Sequence, residues 1–186
     1  MASTKYGTLI YLRIFVFYRI KTIMKNWIFF LFCFSLFVAM VAKAGKNFQT
    51  FDKAAFYEVL KTGDIGEIDT QISAIGGSSI KEKTAYNGVL LMKKAGLVKK
   101  PKDKLAFFKE GRIKFQTAFN ADTANVEYHF LRLVIQEHAP KIVKYSGQVG
   151  EDSQFIKDHF KSLEPALQKA VVDYSKNSTI LHPTDF

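Results

Sequence analysis

The chain has 186 residues, 48% of them hydrophobic, with 27 Lys and Arg against 17 Asp and Glu, one Cys, one Trp and 18 Phe. That length suits one domain of ordinary size. The formal charge of +10 is unevenly spread: residues 1–44 hold six basic residues and no acid, so the remainder carries 21 basic against 17 acidic residues. Global charge therefore gives no case for a nucleic-acid partner. Cys33, Trp27 and seven of the 18 Phe lie in the same leader. The chain beyond residue 44 thus has no thiol chemistry, no disulfide and no Cys-ligated metal.

From Trp27 to Val41 the chain runs through 15 residues of which only Ser35 is polar, preceded by Lys21 and Lys25 and followed by Ala42-Lys43-Ala44. This is the layout of a secretory signal peptide: a basic region, an apolar helix, and small side chains at −3 and −1 that fit the peptidase. Ala42 and Ala44 thus predict cleavage before Gly45, and a mature chain of 142 residues, Gly45–Phe186, that is periplasmic or secreted. Met24 opens a compact leader of normal length, so residues 1–23 read as an over-extended start. The competing outcome is a leader that stays attached as an anchor, with Leu9–Tyr18 as a second apolar stretch. A span needs about 20 apolar residues, more than the run provides. Membrane contact is expected only through an uncleaved leader. Cys33 is no lipidation site, since bulky Phe32 precedes it inside the apolar run.

After a polar stretch, Gly45–Thr50, the periodicity is helical throughout. A helix near Asp52–Lys61 places Ala55, Phe56, Val59 and Leu60 on one face and is expected to stop at Gly63 through a left-handed backbone. Asp64-x-x-Glu67 reads as a capping box opening a second helix, with Ile65, Ile68, Ile72 and Ile75 on one side and Gly76-Gly77 at its end. Ser79-x-x-Glu82 reads as another box, for a helix through about Ala95 with Tyr86, Val89, Leu90 and Met92 inward and Gly96 as its stop.

A lysine-rich loop with Pro101 comes next, and then a helix over Lys104–Phe119 whose stripe is Phe107, Phe108, Gly111, Phe115, Ala118 and Phe119. Gly111 in that stripe predicts close approach of a neighbouring helix. Asn120–Asn125 reads as a turn and Val126–His138 as a helix ending near Pro140. Phe155, Ile156, Phe160 and Leu163 mark another helix, and Pro165 opens the last, with Leu167, Ala170, Val171 and Tyr174 inward. The expected fold is all-α: about seven helices in antiparallel hairpins, as a bundle or a short stack.

Gly111-x3-Phe115-x2-Ala118-x4-Thr123 resembles the second-helix pattern of tetratricopeptide repeats, with Gly in place of the repeat's alanine and Thr123 in place of its proline. The match covers at most one repeat length, with no second copy. The resemblance implies a scaffold that holds peptides or partner proteins in a concave groove. The run from Glu127 to Pro140, Glu-Tyr-His-Phe-Leu-Arg-Leu-Val-Ile-Gln-Glu-His-Ala-Pro, with Tyr145 and Asp152 beyond it, resembles a block in secreted bacterial proteins of unknown function. That resemblance implies export and a helical fold.

Two groups of residues invite a functional reading. On the helix Val126–His138, apolar around most of its circumference, His129, Arg132 and Gln136 share one polar sector. A buried Arg needs a partner, best a carboxylate, so the cluster is either structural or a pocket in which Arg132 holds an anionic ligand with hydrogen bonds from His129 or Tyr128. Lys93, Lys94, Lys99, Lys100, Lys102 and Lys104 form the densest charge run, either a solvated loop or a contact for an anionic surface.

No metal site is expected: His129 and His138 are nine residues apart, not four, and the Asn120-Ala121-Asp122 opening of a calcium loop lacks a ligand at Ala124 and the glycine that comes after it. Neither a Gly-x-Ser-x-Gly nucleophile, a phosphate loop nor a dinucleotide fingerprint occurs, and no cofactor is expected. These features predict an exported, non-catalytic helical interaction protein of the bacterial cell envelope with a protein partner there. The alternative is a small-anion binder or enzyme centred on Arg132.

Overall fold

A computed structural model describes residues 51–186. The leader, the cleavage positions Ala42, Ala44 and Gly45, the alternative start Met24 and the polar stretch to Thr50 lie outside them. The described residues hold seven α-helices and three short 3-10 turns, with no strand among them. They are α1 (Lys53–Thr62), α2 (Ile65–Gly77), α3 (Lys83–Leu97), α4 (Pro101–Ala121), α5 (Val126–His138), α6 (Val149–His159) and α7 (Pro165–Ser175). The expected all-α architecture is what the described residues form. None of the described helices is long and apolar enough to cross a membrane.

The helix starts are set by their caps. Asp52 accepts from the amides of Ala54 and Ala55 at the head of α1, and the Asp64–Glu67 box at α2 is complete in both directions. The Ser79–Glu82 box is absent. Glu82 is the N-cap of α3 and makes no side-chain cap bond, while Lys83 reaches back 3.1 Å to the carbonyl of Gly76 and caps the end of α2. Proline at N1 lets α4 begin at Pro101, inside the expected loop.

Glycine acts through space here rather than through φ, because no glycine among the described residues has a positive φ. Gly63 sits at φ −57°, not in the left-handed region, and a Cβ there would strike Val59. Gly96 does not stop α3, which runs to Leu97.

Helices α3 and α4 form the most extensive contact among the described elements, an antiparallel hairpin. Gly88 and Gly111 face each other at the crossing. A Cβ on Gly111 would stand 2.5 Å from the Gly88 carbonyl, and one on Gly88 would stand 2.7 Å from the Gly111 carbonyl. The close approach expected of Gly111 is therefore real and reciprocal.

Helix α5 is central. Every residue from Glu127 to Gln136 is buried, with α3 and α6 packed against it. Helix α1 contacts α2 and α7. A layer of rings, Phe56, Tyr86, Phe115, Phe130 and their neighbours, fills the core between them.

Candidate functional site

The polar sector of α5 faces α6. Arg132 donates from Nε and Nη2 to the two oxygens of Asp152, at 2.8 and 2.6 Å, a bidentate pair whose carboxylate is fully buried. His129 Nδ1 lies 2.6 Å from the same carboxylate and Nε2 lies 2.9 Å from the Thr123 carbonyl. Both partners accept, so a neutral ring donates to one of them and only the doubly protonated ring to both. The Phe119 ring covers the guanidinium at 3.9 Å and Phe155 stacks on His129 at 4.1 Å. Gln136 stands apart from this cluster: its amide donates to Gln148 at 2.9 Å, and its own oxygen has no partner among the described residues. Tyr128 also turns away, packing edge-on to Phe115. Burial pushes its hydroxyl pKa up to about 12.

A second buried carboxylate, Glu127, escapes sequence reasoning because helical periodicity places it among apolar neighbours. It accepts from Tyr57 at 2.5 Å, Tyr86 at 2.7 Å and Lys53 at 3.0 Å. Burial, together with the charge of Glu127 and its hydrogen bonds, raises both tyrosine pKa values well above the usual range. A partly exposed carboxylate, Glu137, accepts from Tyr174, Ser178 and both the amide and hydroxyl of Thr179, tying the C-terminal tail to α5.

The opposite side of α5 is open. Between α1, α3, α4, α5 and α7 runs a cleft of about 1290 Å³. Its floor is apolar: Met92, Phe108, Phe130, Val134 and Ile135 are all buried. Three large apolar side chains stand exposed along it, Leu97 at 41%, Leu105 at 65% and Ile142 at 88%. These belong to the lysine-rich stretches around Pro101 and Pro140, where an apolar side chain amid charges is a signal that a stripe search passes over.

The rim is basic. Lys61, Lys93, Lys104, Lys109 and Arg112 line the cleft and make no ion pair among the described residues. Lys169 is paired with Asp173 at 2.8 Å, which leaves Glu58 as the acid on the rim that has no ion pair among the described residues. Lys93 is half-buried, its ammonium donating to the Lys61 carbonyl at 3.2 Å, and burial lowers its pKa.

The lysine run of the sequence divides accordingly. Lys93 and Lys104 face the cleft, whereas Lys94 bonds Asp69 at 2.5 Å and lies over Phe107. Lys99, Lys100 and Lys102 are exposed on the connection and the first turn of α4. No family model, no curated protein and no solved structure matches this chain.

Proposed function

We propose that this is an exported, non-catalytic helical scaffold of the bacterial cell envelope that binds another protein through the cleft between α1, α3, α4, α5 and α7. The observation that carries the reading is the cleft itself, about 1290 Å³ with an apolar floor and three exposed large hydrophobics beside it. Small-molecule pockets usually span about 300–1,000 Å³ and enclose their ligand. This one is larger and holds its apolar groups out toward solvent, as a surface that a partner covers does. The tetratricopeptide-like spacing at Gly111, Phe115, Ala118 and Thr123 is in keeping with a helical hairpin used as a scaffold. The leader supports export.

A small-anion site at Arg132 would require the guanidinium to leave Asp152, whose carboxylate occupies the place such a ligand would take. The cleft therefore outranks it.

The test is site-directed photocrosslinking in source cells. Leu105 and Ile113 lie on the same helix with similar exposure, 65% and 58%, but only Leu105 lines the cleft. A crosslinker at Leu105 is expected to give a discrete protein adduct that one at Ile113 does not. Equal labelling from both positions, or none from Leu105 and Ile142, would remove the cleft as a binding surface.

A further inference from the structure

We infer that the cleft takes an amphipathic α-helix of the partner with an apolar stripe flanked by acidic side chains; this rests on the cleft being the binding surface. Three observations lead there.

The first is backbone chemistry. Apart from the stretch Ala139–Val143 and Asn177, the walls of the cleft are helices whose own amides and carbonyls are bonded within each helix, and the described residues contain no strand. An extended segment laid on this apolar floor would find no edge to pair with and would bury unsatisfied N–H and C=O groups. A helix satisfies its backbone internally and presents only side chains.

The second is dimension. From Pro101 to Arg112 the cleft runs along about three turns of α4, roughly 17 Å at 1.5 Å per residue, a length that a partner helix of similar extent covers with anchors at i, i+3, i+4 and i+7.

The third is charge. Five cations without ion pairs among the described residues stand on the rim against one such acid, Glu58. Lys93 is the most telling of them, because its side chain is partly buried and its ammonium has a backbone carbonyl as its sole hydrogen-bond acceptor among the described residues. A carboxylate brought in by the partner would give that ammonium the ion pair it lacks, and Lys104, Lys109 and Arg112 along α4 set the flank that meets it.

The test uses the purified full chain and fluorescein-labelled peptides of about 14 residues, long enough for one apolar stripe. One carries Leu at i, i+3, i+4 and i+7 with Glu on both flanks. The second has Lys for every Glu, and the third is the Glu peptide with a central proline.

Anisotropy is expected to show the Glu helix binding at least about tenfold more tightly than either control, with affinity falling as salt rises. Circular dichroism should show the peptide gaining helix on binding. Lys104→Glu with Lys109→Glu, both exposed positions that leave the core untouched, should abolish the preference between the Glu and Lys peptides, since three cations then face three acids on the rim. Equal binding of the Glu and Lys peptides, undiminished binding of the proline peptide, or displacement of the Glu peptide by a long-chain fatty acid at equal concentration would each overturn the inference. A protein adduct from Leu105 in cells with no preference for the acidic helix in vitro would sink only the occupant, whereas loss of the adduct would sink the cleft as well.

Discussion

The two sides of α5 use their chemistry in opposite ways. Toward α6, Arg132 and His129 are closed around Asp152, with aromatic rings above and below and nearly no solvent access. Toward α4 and α7, the apolar residues Phe130, Val134 and Ile135 form the floor of an open cleft whose rim holds cations without ion pairs among the described residues. Arg132 and His129, which look most like a site in the sequence, are thus satisfied within the fold. Those with unused capacity to bind are exposed Leu97, Leu105 and Ile142, which look like ordinary surface, beside two members of the lysine run, Lys93 and Lys104. What a residue has left over after folding points to binding better than its chemical type does.

The contrast breaks first, and hardest, at Asp152. Asp152→Leu leaves the buried Arg132 guanidinium and the His129 ring without their shared acceptor and should cost about 3–5 kcal/mol in chemical denaturation. Adding Arg132→Met removes the stranded guanidinium and is expected to recover much of that loss, because a buried pair replaced by apolar groups of similar size is often close to neutral. If Asp152→Leu alone is harmless, the sealed side is not what holds α6 to α5. If an anion binds at Arg132 in the unsubstituted protein, with Asp152 in place, the contrast between the two sides fails.

Next in size are the packed helix crossing and the second buried carboxylate. Gly111→Ala puts a methyl against the Gly88 carbonyl and Met92, where backbone has to move, and about 1–3 kcal/mol of overpacking is expected. Glu127→Gln keeps the shape but offers one acceptor oxygen where Tyr57, Tyr86 and Lys53 now share two, and about 1–3 kcal/mol should be lost. The tyrosines also set a sign for alkaline pH. Their folded pKa values lie above the unfolded value of about 10, so the stability they contribute is present below that pH and is lost as pH rises toward the folded values. Spectrophotometric titration should find Tyr57 and Tyr86 un-ionised until the protein unfolds. Phenolate signal from both in the folded state would place the pair in solvent.

The cleft is sharpened by a substitution that should do little to the fold. Leu105→Asp at a 65% exposed position is expected to change stability by no more than about 0.5 kcal/mol while abolishing the photocrosslinked adduct at Ile142. The reverse pattern, lost stability with an intact adduct, would make Leu105 part of the core and Ile142 part of some other surface.

Much of the fold was legible because it is local. Helix α5 begins at Val126 and ends at His138 as periodicity predicts, Asp64 and Glu67 form their box, and Pro165 opens α7. The failures are also local and have named causes. The Ser79 box is missing because the helix starts only at Lys83, with Glu82 at the N-cap position that the box assigned to Ser79, and α4 gains a turn because Pro101 starts a helix as readily as it ends one. The site was less legible. Arg132 announces a need for a carboxylate, yet Asp152 is 20 residues away and nothing in the spacing selects it. The cleft is harder still. It exists because five helices meet around a floor that no other described element covers, and a stripe calculation reports which face is apolar but not whether a neighbour covers it.

The smallest effect concerns the C-terminal tail. Burial alone would raise the pKa of Glu137, but hydrogen bonds from Tyr174, Thr179 and Ser178 outweigh it and hold the carboxylate below the usual glutamate range. A folded pKa depressed in this way gives stability that is fully present above the unfolded value of about 4.3 and fades as pH falls through the folded one. Since Tyr174 and Asn177 line the cleft, the tail tie lies next to the binding surface without being part of its floor. Glu137→Gln should therefore speed hydrogen exchange at the Thr179 amide a few-fold at neutral pH, with little change in global stability. The Thr179 amide shift should titrate with a midpoint below that of an ordinary glutamate. A midpoint at or above it would mean that the tail is not held by Glu137, and that the α7 wall of the cleft is set by the packing of Leu167 and Val171 alone.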